Sequence, residues 1–161
     1  MSNNADYRLI RKSSVCAEIN EGEAKTLAAK MGVRQLKDGE LLVSEGDAVQ
    51  TLFILASGKL GVISASADGR ENLVHTMTEG ECAGTRAFVD RTPRKATLRA
   101  IGNATVYTLT PESFDTVVDA HPRLAYKVMR ALFRVTHANL MRMNQESQQL
   151  SNYIHKSQGR Y

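Results

Sequence analysis

Short runs of β-forming residues alternate with glycine turns through the middle of the chain, from about residue 33 to residue 109. The breaks between runs include Ser57-Gly58 and Gly102-Asn103. Asp68-Gly69 indicates a hairpin, because a two-residue turn requires positive φ. Short strands at near-even spacing favour a sandwich or a jelly-roll barrel over a parallel sheet. The predicted strands are 41–43, 51–55, 59–64, 72–77, 96–100 and 105–109.

Helical patterns flank the strand region on both sides. A short helix is predicted over residues 21–31, where Leu27 and Met31 share one face. After the strands, Thr110 can cap a helix with Pro111 at its first position. That helix runs to about residue 120 and buries Phe114, Val117 and Val118. The predicted fold is therefore mainly β with flanking helices.

A second, longer helix begins at His121-Pro122 and holds its pattern to about residue 155. At about 1.5 Å per residue it is roughly 50 Å long, which exceeds the width of a small barrel. Either this helix lies on its own barrel, or it pairs in parallel with a second copy to form a homodimer, which its length favours. Polar Asn139 in the stripe could set the register of pairing or contact a ligand. The heptad-like stripe comprises Met129, Leu132, Thr136, Asn139, Met143, Glu146, Leu150 and Tyr153.

Composition bounds the class of protein. The chain has 161 residues, 42% hydrophobic and 24% charged, which suits one globular domain. There is neither an apolar run of about 20 residues nor a secretory leader, so we expect a cytoplasmic protein without a membrane anchor. Walker loops, nucleophile elbows and paired catalytic carboxylates are also missing from the sequence, so we expect no enzymatic activity.

The positive charge is concentrated near the C-terminus. Residues 121–161 carry seven Lys and Arg against one Glu, or +6, while the whole chain carries +4. A basic helix can face nucleic acid or an anionic ligand. The cations are spread along the helix, which favours a solvated face.

The segment 80–97 has the residues that one phosphate group requires. Small residues around Gly84 let backbone N–H groups approach an anion closely. Ten positions further on, Arg94 follows Pro93 and offers a fork of donors that matches phosphate oxygens. The pattern predicts a phosphate-binding site.

Together these features resemble the cyclic nucleotide-binding domain family, which occurs in catabolite-activator-type bacterial regulators and in cyclic-nucleotide-dependent kinases and channels. The resemblance covers roughly residues 20–145. It rests on Gly39-Glu40, Glu45-Gly46-Asp47, the run 53–60, Asp68-Gly69 and the segment 80–97. It implies a double-stranded β-helix, or jelly-roll, barrel with a short N-terminal helix and a long C-terminal helix. It also implies that the segment 80–97 holds the sugar and phosphate of cyclic AMP (cAMP) or cyclic GMP (cGMP), with no cofactor.

The resemblance assigns roles to individual residues. In the family the segment that corresponds to residues 80–97 is a ligand-binding cassette, and Gly84 falls on its glycine. Ala87 falls on the small residue whose backbone N–H helps to bind phosphate. Arg94 falls on the phosphate-binding arginine, and Ala96 falls within the motif that follows it. Asn139 lies about where the family reaches the purine.

Three residues depart from the family pattern. Thr85 stands where the family has a glutamate that accepts hydrogen bonds from the ribose 2′-OH. Arg86 replaces an aliphatic residue, and Lys95 replaces a small one. The site is thus more positive than is usual, and its recognition of the sugar is altered.

The resemblance divides the chain into a polar segment over residues 1–20, a cyclic nucleotide-binding-like domain over 21–145, and a helix end with a polar tail over 146–161. Activator-type relatives carry a helix-turn-helix after the long helix, and this sequence ends before one, so we expect no direct DNA binding. The implied function is a stand-alone regulatory domain that senses a cyclic nucleotide and signals, by moving its C-terminal helix, to a downstream protein that the sequence does not name. Two alternatives stay open: a degenerate domain for dimerisation or docking, and a domain for another anionic ligand.

Overall fold

A computed structural model describes residues 4–158 as an antiparallel β-structure flanked by helices. Every paired strand runs antiparallel to its neighbours, and the strand order is β1-β6-β3-β4, with β2 paired to β6 and β5 paired to β3. The arrangement confirms the predicted jelly-roll class. The strands are β1 (Gly32–Leu36), β2 (Leu41–Val43), β3 (Leu52–Ala65), β4 (Glu71–Met77), β5 (Cys82–Ala83) and β6 (Thr97–Leu109).

Helices cover one end of this β-structure. The first and the last part of the described chain are both helical, and a short helix interrupts the strands. The helices are α1 (Tyr7–Arg11), α2 (Glu21–Ala28), α3 (Thr85–Asp90), α4 (Pro111–Ala120) and α5 (Pro122–Gln158), with a 3-10 turn at Ser14–Cys16. None of the helices in residues 4–158 combines the length and the hydropathy that a membrane span requires.

Two strands are longer than the sequence predicted. The runs 51–55 and 59–64 join in β3, and the runs 96–100 and 105–109 join in β6. Irregularities in register on either side of Ser57 bend β3 without ending it. Gly58 has φ +87°, and a Cβ at this position would overlap the carbonyl oxygen of Asn103. The glycine therefore permits a close approach of β3 to β6, where the sequence suggested a turn.

The side chains of β3 alternate between two hydrophobic clusters. Phe53 and Leu55 lie in a cluster between the strands, together with residues such as Val106. Leu52 and Ile54 lie in a second cluster, where the strands meet the helices. The barrel and its helical cover are thus held together by one strand that contributes to both.

The first twenty residues also contribute to the cluster under the helices. Ile10, Val15, Cys16 and Ile19 are all at most 6% exposed. The backbone N–H of Ser14 donates to the carbonyl of Gly80 at 2.9 Å, which ties the 3-10 turn to the loop before β5. The sequence indicates a polar segment here and predicts neither α1 nor the 3-10 turn. The apolar pairs Leu9-Ile10 and Val15-Cys16 stand among Arg, Lys and Ser, so the sequence shows no helical periodicity there.

The start of α4 agrees with the predicted cap. The hydroxyl of Thr110 accepts from the N–H of Ser113 at 3.2 Å, with Pro111 at the first position of α4. Phe114 and Val117 are buried as predicted, but the prediction for Val118 was wrong, since this residue is 43% exposed.

Helix α5 is anchored only along its first part. Leu124, Val128 and Leu132 are buried in the cluster under the helices. Two glutamates reinforce this anchor from the N-terminal side: Nζ of Lys127 lies 2.7 Å from a Glu23 oxygen, and Nη2 of Arg134 lies 2.6 Å from a Glu18 oxygen. From Phe133 to the end of α5, every residue except half-buried Val135 is exposed.

Candidate functional site

The side chain of Arg94 is the most unusual polar group among the described residues. It is only 5% exposed, and its guanidinium lies over the ring of Phe53, 4.8 Å from the ring centroid. Nη2 donates to the carbonyl of Thr51, while Nε has no hydrogen-bond partner within residues 4–158. Burial lowers the pKa of this guanidinium from its ordinary value, and the carboxylate of Asp47 opposes that shift. An arginine nevertheless stays charged in proteins.

The loop that follows β2 holds the backbone of Arg94. The N–H of Arg94 donates to the carbonyl of Asp47, and the N–H of Gly46 donates to the carbonyl of Arg94, each at 2.9 Å. Nearby, the N–H of Glu45 donates to the hydroxyl of Thr97 at 2.9 Å. The turn Glu45-Gly46-Asp47, one of the motifs on which the family resemblance rests, therefore holds the backbone of the arginine.

Gly84 packs directly against the Arg94 guanidinium. It caps α3 in the left-handed region, with φ +84°. A Cβ at position 84 would overlap Nη1 of Arg94, so only glycine fits here without displacing the arginine. The structure thus brings together Gly84 and Arg94, the two residues on which the predicted phosphate site chiefly depended.

The backbone beside this contact offers free donors. Helix α3 begins at Thr85. The backbone N–H groups of Thr85, Arg86 and Ala87 donate no hydrogen bond to any of the described residues. Ala87 itself is buried at 4% exposure, so its small side chain faces the protein. The first intrahelical acceptor, the carbonyl of Gly84, receives the N–H of Phe88 at 2.9 Å.

The two additional cations lie at the outer surface of the segment. The side chain of Arg86 is 66% exposed, and its Nε lies 4.0 Å from a carboxylate oxygen of Asp90. Lys95 is exposed and forms no ion pair within residues 4–158, whereas Ala96 is half-buried. Neither cation contributes to the buried contact between Gly84 and Arg94.

The side chain of Thr136 on α5 forms a hydrogen bond with a residue of the cassette. Its Oγ1 lies 3.4 Å from Oγ1 of Thr85. Asn139 is exposed and has no hydrogen bond within the described residues. From the sequence, Thr136 is predicted only as part of the heptad-like stripe, so its contact with Thr85 was not predicted. The contacts of Thr51 and Phe53 with Arg94 were not predicted either.

The fold is a jelly-roll barrel in which a buried arginine lies against a glycine in the left-handed region, and comparison with known proteins identifies the family. The chain belongs to the family described as cyclic nucleotide-binding domain, whose model matches residues 33–121. The resemblance deduced from the sequence is confirmed.

Individual relatives agree with this assignment. A cGMP-dependent protein kinase from Plasmodium berghei is 29% identical over 105 residues, which are 65% of this chain and 12% of the kinase. The chain thus spans about an eighth of that relative's length. A cyclic nucleotide-binding domain from Methylobacillus flagellatus shares the fold, with a TM-score of 0.81, 19% identity, and coverage of 87% of this chain and 81% of that one. The regulatory domain of Toxoplasma gondii PKA, solved with cAMP, gives a TM-score of 0.63 and 26% identity over 73% of this chain and 45% of its own.

Proposed function

We propose that this chain is a non-catalytic, cytoplasmic regulatory domain that binds cAMP or cGMP through residues 84–96. The observation that carries the proposal is the buried guanidinium of Arg94, which lies against Gly84 with Nε unpartnered in the described chain. Family membership indicates the class of ligand. The buried positive charge of Arg94 favours the binding of an anion.

Burial of this charge is costly without an anion. A buried cation requires compensation by hydrogen bonds or by a counter-charge. Of the five N–H donors of Arg94, the protein engages one with the Thr51 carbonyl, and the Phe53 ring adds a cation–π contact. A monoanionic cyclic phosphate would satisfy more of these donors in the fork geometry that arginine prefers.

The free N–H groups at the start of α3 supply a second set of donors. In the proposed complex, one phosphate oxygen accepts from Arg94 and the other accepts from the backbone at Thr85, Arg86 or Ala87. Gly84 makes this arrangement possible, because its missing side chain lets the guanidinium lie beside the backbone donors. Lys95, at the surface, adds to the attraction of an anion at longer range.

Recognition of the rest of the nucleotide is proposed to be weaker. Thr85 offers a hydroxyl where relatives use a carboxylate, and losing a charge-assisted hydrogen bond costs about 1.5–3 kcal/mol, or roughly ten- to a hundredfold in affinity. Asn139 lies three residues beyond Thr136 on the same helix face, so it is the proposed contact to the purine.

The proposed output is movement of α5. The buried part of the helix ends at Leu132, and just beyond it Arg134 and Thr136 still contact Glu18 and Thr85. The exposed part of α5 that follows Thr136 is the part proposed to change position when the ligand binds. A ligand that favours one position shifts the balance between the two states. The exposed side chains of Met143, Leu150 and Tyr153, at 60%, 62% and 72%, support pairing with a second copy of the helix, and movement of that pair would be passed to a downstream protein.

Calorimetry with cAMP and with cGMP tests the proposal. Wild-type protein should bind at least one nucleotide, and Arg94→Met, which keeps the length of the side chain and removes the charge, should lose at least tenfold in affinity. Arg70→Ala is the matched control, because Arg70 is an exposed arginine in the β3–β4 hairpin. The absence of heat at millimolar nucleotide, or equal binding by wild type and Arg94→Met, would reject the proposal.

A second candidate function is a degenerate domain that docks a partner or binds a different small anion. The exposed cations Arg86 and Lys95 and the missing carboxylate at Thr85 favour it. A thermal-shift comparison of cAMP, cGMP, inorganic phosphate and pyrophosphate separates the two candidates. A shift with a cyclic nucleotide that disappears in Arg94→Met rejects the second candidate, whereas a shift with pyrophosphate alone supports it.

A further inference from the structure

Two hydroxyl groups join the cassette to the long helix. Thr85 is the first residue of α3, and Thr136 lies on α5, 51 positions later in the chain. Their Oγ1 atoms are 3.4 Å apart, beyond the usual range of about 2.5–3.0 Å between two hydroxyls, so the hydrogen bond between them is weak. The contact involves the residue whose chemistry departs most from the family pattern, since Thr85 occupies the position of the ribose-binding glutamate.

The position of the protons in this pair follows from a third atom. Oγ1 of Thr136 also lies 2.9 Å from the carbonyl oxygen of Leu132, one turn earlier on α5. A carbonyl can only accept, and a hydroxyl has a single proton, so the proton of Thr136 is used there. Thr136 can then only accept from Thr85. A hydrogen bond in this direction uses the proton of Thr85 toward α5 and leaves the lone pairs of Thr85 for a donor on the ligand.

We infer that Thr136 is a specificity-determining residue and that the pair Thr85–Thr136 reads the 2′-OH of the nucleotide's ribose. The inference rests on the proposed binding of a cyclic nucleotide. The ribose 2′-OH donates to Thr85, Thr85 donates to Thr136, and Thr136 donates to the carbonyl of Leu132. Each hydroxyl polarises the next, so the chain of hydrogen bonds connects the sugar to the backbone of α5.

A threonine at position 85 can form hydrogen bonds that a carboxylate at the same position cannot. A carboxylate accepts only, so it could not donate onward to α5. Threonine both accepts and donates, which lets the sugar contact and the helix contact share one side chain. Threonine at position 85 therefore binds the sugar more weakly than a carboxylate would, but it also contacts α5 directly. Thr136 holds the Thr85 hydroxyl in the orientation that accepts a hydrogen bond from the ligand.

A comparison of cAMP with 2′-deoxy-cAMP tests the inference on the full chain. A neutral hydrogen bond is worth about three- to tenfold in affinity, so wild type should prefer cAMP by that ratio. Thr85→Ala should bring the ratio close to one. Thr136→Val, which keeps the shape of the side chain and removes the hydroxyl, should reduce the ratio to about twofold or less while its affinity for 2′-deoxy-cAMP changes by less than twofold.

Two further variants exclude a merely structural effect. Thr136→Ser restores the hydroxyl and should restore the wild-type ratio. The double variant Thr85→Ala with Thr136→Val should match Thr85→Ala alone, because residues that act through one chain of hydrogen bonds are not additive.

The outcomes separate the inference from the function on which it rests. If wild type binds neither cAMP nor cGMP, the proposed function fails and this inference fails with it. If wild type binds but Thr136→Val keeps the wild-type ratio, or loses affinity for both analogues equally, the relay is wrong and the proposed function survives.

Discussion

The Cα of Gly84 lies directly against the guanidinium of Arg94, so closely that a methyl group at position 84 would occupy the same space as Nη1. This contact places a positive charge beside free backbone donors of α3. Because a larger residue at position 84 would displace Arg94, the arrangement requires glycine there as well as arginine at position 94.

Gly84→Ala should destabilise the domain more than Gly69→Ala does. Both glycines have nearly the same left-handed φ, +84° and +81°, so the backbone strain of about 1–2 kcal/mol is matched. A Cβ at Gly69 would meet nothing within 4 Å, whereas a Cβ at Gly84 must displace Arg94. Urea unfolding of the two variants measures the difference, and equal losses of unfolding free energy would contradict the close contact.

Glu23→Gln should lower thermal stability in a pH-dependent way. The hydrogen bond from Lys127 holds the pKa of Glu23 below its usual value of 4.5. A carboxylate with a depressed folded-state pKa stabilises the fold above its unfolded pKa, and this contribution is lost as the pH falls through the folded pKa. The difference in Tm between wild type and Glu23→Gln should therefore have its full size at pH 7 and become smaller below about pH 4.5.

Glutamine at position 23 keeps an oxygen that can accept from the N–H of Asn20, so the helix cap is retained in this variant. Glu146→Gln is the control, because Glu146 lies on the exposed part of α5 and forms no ion pair within residues 4–158. High salt should also reduce the effect of Glu23→Gln. A difference in Tm that persists unchanged to pH 2 would show that the ion pair with Lys127 is not its cause.

Both cysteines should react slowly with a thiol reagent in the folded protein. Burial raises the pKa of Cys16 to about 11, and it also raises the pKa of Cys82. The thiolate is the reactive form, so little of it exists at pH 8. Variants with one cysteine replaced by alanine give each rate separately, and both thiols should react rapidly in urea. Fast labelling of Cys16→Ala in native buffer would show that Cys82 is accessible.

The proposed dimer predicts an effect of charge on the exposed part of α5. Leu150→Lys combined with Tyr153→Lys should convert a dimer to a monomer, because lysines cannot be desolvated within an apolar helix seam. Gln148→Lys, at an exposed polar position on the same helix, should leave the dimer intact. Sedimentation velocity gives the mass of each species. A monomeric wild type at high micromolar concentration would rule out the pairing.

The sequence predicted the fold and the centre of the site through local signals. Thr110 and Pro111 predicted the start of α4, and Gly84 and Arg94 predicted the residues that the structure brings into contact. Capping residues, turn glycines and arginines can be recognised from their residue type alone. Ser57-Gly58 was misread for the same reason. A glycine at a close crossing of two strands looks like a glycine in a turn until the partner strand is known.

The contacts that the sequence did not predict are those made across long separations. Thr136 meets Thr85 across 51 residues, and Thr51 meets Arg94 across 43 residues. A single sequence does not indicate which residues so far apart in the chain are in contact. Thr136 in particular was assigned to the stripe of a possible dimer, because helical periodicity shows which residues share a face but not what that face contacts.

The buried side chains before Glu21 have a practical consequence for shortened or fused versions of this domain. Ile10, Val15 and Ile19 complete the same cluster that holds Val128 of α5. A fragment started at the first apparent helix would leave that cluster open to water on one side, at about 1.5–3 kcal/mol for each large side chain lost. A biosensor or crystallisation fragment built from this chain should therefore begin ahead of Ala5, and a fluorescent partner is better fused through a linker than joined directly to α1.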